Sequence, residues 1–167
     1  MGARYSYSYS SITTSAIANA TNLTNSGYPG FIQGGNTTQR INLIEVFMGG
    51  EAAASSAPQI MILARDSTVA ATAITGGFNA LLDGSGTAPA TTAVVGNSAT
   101  TTPQRSSTLH LLHLSFNAYG GIVRWVSRQG EEPSVVGNTA SLGEVSLSAF
   151  TGTTAGQISG HVIYEVA

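Results

Sequence analysis

The chain has 167 residues, enough for one domain with a sizeable core. Only 8% of them are charged, the net charge is -2, and there is neither Lys nor Cys. Disulfides, thiolate chemistry, Cys-based metal sites and a Lys-dependent phosphate loop are therefore excluded, and the scattered Arg residues form no basic patch for nucleic acid.

No apolar run approaches the ~18 residues of a membrane span, and MGARYSYSYS lacks the apolar segment of a signal peptide. Gly, Ala, Ser and Thr are abundant, which suits short strands and long loops better than helices. So few charges give weak electrostatic protection against association, a hint that neighbours cover much of the surface.

Residues 3–9 alternate, with Tyr5, Tyr7 and Tyr9 on one side and Arg4, Ser6 and Ser8 on the other. A period of two predicts an extended segment. It is either an edge strand on its own domain or an arm that adds to a neighbouring subunit's sheet. Residues 10–39 are rich in Ser, Thr, Asn and Gly, with a turn at Gly27-Tyr28-Pro29-Gly30. We expect residues 1–39 to form an N-terminal arm and loop region, and residues 40–167 to form the main domain.

Arg40 to Met48 is a strand with apolar residues on both faces, so it is either covered on both sides or carries a parity-shifting bulge. Gln59 to Arg65 is a second two-sided strand, and residues 76–104 read as loop with a short strand near Thr91 to Val95. The stretch Arg105 to Arg128 holds two apolar runs joined by Asn117-Ala118-Tyr119-Gly120-Gly121, which predicts a tight hairpin. It contains the only Trp. The hairpin is therefore the expected centre of the core, with Leu112, Leu114, Phe116, Val123 and Trp125 facing inward. Gly143 to Phe150 alternates with Val145, Leu147 and Ala149 inward. Ile158 to Val166 puts Ile158, Val162, Tyr164 and Val166 on one face, and His161 and Glu165 on the other.

Chemistry-bearing residues are few. His110 and His113 are three apart, which on a strand points them to opposite faces, so we expect no metal site there. His161 and Glu165 share a face but lie roughly 13 Å apart along a strand. Glu131-Glu132 beside Pro133 reads as a solvated turn, and the acids are too sparse for a calcium loop. No cofactor is expected and no catalytic residues are assigned.

About eight or nine strands without a helix predict an all-β antiparallel sandwich, with the eight-stranded jelly roll fitting the count. The order of elements RINLIEVFMGG, QIMILARDSTVA, TLHLLHLSFNAYGGIVRWVSR, GEVSLSAF and GHVIYEV resembles the small jelly-roll decoration, or cement, proteins of tailed bacteriophages. The resemblance covers residues 40–166. It implies a non-enzymatic virion protein on the capsid surface, a homotrimer that binds the major capsid protein shell. Tyr5, Tyr7, Tyr9, Tyr28 and Phe31 are then the expected subunit or capsid contacts. The alternative is a receptor- or carbohydrate-binding domain of a head or tail fibre, with Tyr28, Phe31 and Tyr119 as its loop aromatics. An enzyme assembled from residues distant in sequence ranks third.

Overall fold

The computed structural model describes residues 3–13, 15–16, 30–33, 40–51, 58–68, 73–74, 78–82, 94–96, 98–99, 104–136, 143–151 and 156–167. Among these there is no helix. The strands are β1 (Ala3–Thr13), β2 (Ser15–Ala16), β3 (Gly30–Gln33), β4 (Arg40–Glu51), β5 (Pro58–Thr68), β6 (Ala73–Ile74) and β7 (Phe78–Leu81). They continue with β8 (Val94–Gly96), β9 (Ser98–Ala99), β10 (Gln104–Asn117), β11 (Tyr119–Val126), β12 (Ser134–Val136), β13 (Glu144–Thr151) and β14 (Gln157–Val166).

Sheet A has the order β11-β4-β14-β1-β7, with β12 also on β4. Sheet B has the order β10-β5-β13-β3-β8, with β2 also on β13. Apart from the short parallel β2–β13 pair, the pairings in both sheets are antiparallel. Eight strands make the body of the sandwich. Strands that follow one another among these eight hold the same place in the two orders: β11 and β10, β4 and β5, β14 and β13, β1 and β3.

The core lies between the sheets. Sheet A contributes Tyr7, Leu43, Val46, Met48, Val162 and Tyr164, and sheet B contributes Met61, Leu63, Val145, Leu147 and Ala149. Each large apolar side chain buried this way contributes about 1.5–3 kcal/mol. A residual cavity of about 10 Å³, lined by Tyr7, Ile32, Leu43, Leu63, Val145, Leu147 and Val162, is apolar and too small to favour a water. Burial, with Tyr5 stacked beside it at 5.4 Å, pushes the Tyr164 phenol up to about 12. The Tyr7 and Tyr9 phenols are raised by burial as well.

The two-sided pattern of β4 is a bulge. Ile163 pairs with Glu45 and the next residue, Tyr164, with Leu43, so Ile44 is the extra residue. Ile41 and Leu43 face the core before it, and Val46 and Met48 after it. The freed carbonyl of Ile44 accepts hydrogen bonds from the Ser127 amide at 2.8 Å and the Ser127 hydroxyl at 3.1 Å. On the same edge of β4, the Leu43 amide donates to the Pro133 carbonyl. The segment 127–133 thus bridges β11 and β12 along one strand.

Three sequence expectations need correction. First, residues 3–13 are not a free arm. β1 lies inside sheet A, between β14 and β7, and Tyr5, Tyr7 and Tyr9 face the core. Nor does residue 40 mark a boundary, because β1 and β3 pair with β14 and β13. An alternating Tyr row reads alike on an edge and in the middle of a sheet; whether a further strand pairs beyond it is not encoded in it.

Second, Asn117 to Gly121 does not close a hairpin. β10 pairs with β5 in sheet B, and β11 pairs with β4 in sheet A. The connection is a corner between sheets. Asn117 Oδ1 accepts from the Tyr119 amide at 2.8 Å, a side-chain-closed turn. Gly120 has a φ of 67°, a left-handed value that suits glycine. Ala118 is buried against Gly50, where an added Cβ would lie 2.1 Å from the Ala118 carbonyl oxygen.

Third, the centre of the core is not this stretch. β10 and β11 are the last strands of their orders. Leu112, Leu114, Val123 and Trp125 face inward as expected but are only partly buried, packed against the rim of the core.

Candidate functional site

The corner and its two strands form one open side of the sandwich. In β11 the outward residues alternate with the inward ones, so Val123 and Trp125 face the core while Ile122, Arg124 and Val126 face out. Ile122 is 65% exposed, Val126 50%, and Tyr119 at the corner 59%. On β10, Leu109 and Leu111 are exposed at 39% and 40%. Both strands end their sheets, so among the described residues their outer backbone edges lie without a neighbouring strand. A long edge strand with apolar side chains is a template for association.

The outward face of sheet A carries an ion cluster beside this edge. Glu45 accepts two hydrogen bonds from Arg124, Nε to Oε1 at 3.0 Å and Nη2 to Oε2 at 2.8 Å. His161 Nε2 lies 3.2 Å from Glu45 Oε1. The His161 ring stacks on Phe47 at 5.2 Å and 7°, which fixes its orientation. The Arg124 hydrogen bonds hold the Glu45 carboxyl below its ordinary value, against the opposing effect of burial, and His161 adds to them. The cross-strand registers explain the cluster: Arg124 and His161 both pair with Phe47, and Glu45 is diagonal to each.

Further along sheet A, Arg4 Nε bonds Glu165 Oε2 at 3.0 Å. His161 and Glu165 therefore serve different partners, as their spacing implied. This second pair borders an open depression of about 530 Å³, also lined by Asn42, Ile44, Ser127, Gln129 and Glu132. No aromatic side chain lines it. Glu132 is half-buried and accepts from the Gly130 amide at 2.9 and 3.0 Å, whereas Glu131 is exposed.

Sheet B differs. Ile62, Ala64, Asp66, Glu144 and Ser146 face away from the core, yet all are buried. The Ser146 hydroxyl donates to Asp66 Oδ1 at 2.6 Å. It is buried and committed to that carboxylate, so it is not presented as a nucleophile. Arg65, facing inward, donates to the Ser134 carbonyl at 3.0 Å and ties β5 to β12 across the sandwich; burial pulls its pKa below the ordinary guanidinium value.

The structure places the predicted contact residues as follows. Tyr5, Tyr7 and Tyr9 are internal, and the Tyr9 hydroxyl donates to the Phe47 carbonyl at 3.2 Å. They are not available as contacts. Tyr28 lies outside the described residues; Phe31 lies in β3, and its side chain is outside them. Sequence reasoning missed Glu45 as the partner of His161, since 116 residues separate them. The one signal was a lone acid, Glu45, inside the largely apolar run Ile41 to Met48.

No group of three or more His, Cys, Asp or Glu that could hold a metal occurs among the described residues. No protein-family model matches the chain, and no curated protein is similar to it.

Proposed function

We propose that this chain is a non-enzymatic structural protein of a virus particle, one that binds the outside of a capsid shell through the open β10–β11 side of its sandwich. The observation that carries this reading is the exposure of the apolar residues Leu109, Leu111, Tyr119, Ile122 and Val126 on the two edge strands of a chain with little charge. Exposed apolar side chains on unpaired edge strands favour association, and the low charge leaves few groups to desolvate on contact. Many weak contacts repeated around a shell add up through avidity.

The strand orders support the jelly-roll reading. Two four-stranded sheets, β11-β4-β14-β1 and β10-β5-β13-β3, share eight strands that cross repeatedly between them. The resemblance to phage decoration proteins adds a homotrimer on the major capsid protein. With Tyr5, Tyr7 and Tyr9 buried, the contacts move from the N-terminal segment to the opposite side of the sheets.

The test is co-sedimentation of the purified chain with shells stripped of it, together with light scattering for its oligomeric state. Stoichiometric binding lost in Ile122→Asp, with folding unchanged, supports the reading. Binding by that variant as tight as the wild type would sink it. The second reading, a receptor- or carbohydrate-binding domain, draws on the polar depression beside Arg4 and Glu165. A glycan array giving specific binding that is lost in Glu165→Gln would favour it over the first.

A further inference from the structure

Regular strand geometry would set His110 and His113 on opposite faces. A bulge in β10 reverses this. His110 pairs with Ala64 and Leu112 with Leu63, so two steps along β10 match one along β5. Ala64 and Ile62, the partners of His110 and His113, lie on one face of β5. Both imidazoles therefore rise from the outward side of sheet B. His110 Nδ1 and His113 Nε2 are 2.7 Å apart, and the ring centroids are 4.8 Å apart. His113 is exposed and His110 is half-buried.

We propose that His110 and His113 form a chelating site for a divalent transition-metal ion of the kind imidazole prefers, such as Cu²⁺, Ni²⁺ or Zn²⁺. In the metal-free pair one nitrogen holds a proton that the other accepts. A metal ion takes the place of that proton, which passes through solvent to the far nitrogen of the same ring. Coordination through His110 Nδ1 leaves its hydrogen on Nε2, and coordination through His113 Nε2 leaves its hydrogen on Nδ1, so both rings stay neutral. With metal–nitrogen bonds of about 2.0–2.1 Å, two tetrahedral ligands sit about 3.3 Å apart. The nitrogens need only separate by about 0.6 Å from where they stand, within reach of small side-chain rotations.

With no third His, Asp or Glu completing a group among the described residues, the remaining coordination positions fall to water or to a donor from another molecule. Bulges often re-aim a side chain at a site, and they also blunt edge strands. Metal binding separates these two roles.

The experiment is calorimetric titration of the tag-free full chain with CuCl₂ at pH 7.5, Cu²⁺ being the strongest binder of the series. One ion per chain is expected. His113→Ala and His110→Gln should each weaken it by about tenfold or more, the least that loss of a direct ligand implies. His161→Gln, on sheet A, should leave it unchanged. The Cu²⁺ resonance spectrum should carry nitrogen hyperfine structure that is lost in the double variant. Because His113 is exposed, the His113→Ala melting temperature without metal checks that its fold is intact. Wild-type affinity in His113→Ala, or no binding beyond that of the double variant, overturns the proposal.

Discussion

On sheet A the outward residues Arg124, His161 and Arg4 reach solvent, and their nitrogens lie against the carboxylates of Glu45 and Glu165. On sheet B the outward residues Ile62, Ala64, Asp66, Glu144 and Ser146 are buried, two carboxylates among them. The sheets share one core, yet around these residues only sheet A keeps its outer face open. A buried carboxylate is tolerated only when its surroundings donate to it, as Ser146 does to Asp66. The covered face therefore reads as architecture. The open face of sheet A, with the β11 and β10 edges next to it, is where another molecule can be met.

The sharpest way to break that contrast is a matched pair of truncations. Ile62→Ala on the covered face should cost about 2–5 kcal/mol, the range for deleting a buried large aliphatic side chain. Ile163→Ala, half-exposed on the outward side of sheet A, should cost about 1 kcal/mol. Equal losses in urea denaturation would erase the distinction. Ser146→Ala should follow, at roughly 1–3 kcal/mol, because it removes a donor from a buried carboxylate. A change within error would mean that solvent reaches Asp66.

Trp125→Ala comes next, at roughly 1–2 kcal/mol, since a half-buried edge side chain loses only part of its transfer energy. A loss of 3 kcal/mol or more, the range for a fully buried aromatic, would restore the stretch Arg105 to Arg128 to the centre of the core.

The smallest effect is one of pH. The Glu45 carboxyl is held below its ordinary value, so its contribution is present above that value and is lost as pH falls through the folded one. The melting temperatures of wild type and Glu45→Gln should thus differ most at neutral pH and converge on acidification. A constant gap from pH 7 to pH 3 would show that the carboxylate contributes nothing through its charge. Arg124→Ala should shift the melting temperature only slightly, and less again in high salt, because its guanidinium is exposed.

Much of the sandwich was legible because alternation survives wherever a strand is regular. Val145, Leu147 and Ala149 face the core as read, and so do Ile158, Val162, Tyr164 and Val166. The doubled pattern of β4, with apolar residues on both parities, fitted either a strand covered on both sides or a bulge, and the register decides for the bulge. The bulge in β10 left no such trace. Leu109, Leu111, Leu112 and Leu114 are apolar at both parities whichever residue is extra, so the meeting of His110 and His113 was hidden. The corner was hidden for another reason. Asn117 and Gly120 specify that the chain turns, but whether it turns within a sheet or between sheets is decided by what packs beneath it, here Gly50 under Ala118. Likewise, nothing local to residues 3–9 reveals that β7 will close their far side.

The pairing of β1 with β14 bears on how the molecule carries a load. Ala3 lies opposite Val166 and Thr13 opposite Gln157, so the two ends of this antiparallel pair open at the same place. A force pulling those ends apart would act on the Ala3–Val166 contact first and then on each pair in turn, like a zip. It would not shear the whole ladder at once. Tension applied through Tyr119 or Ile122, at the other side of sheet A, would leave that seam slack.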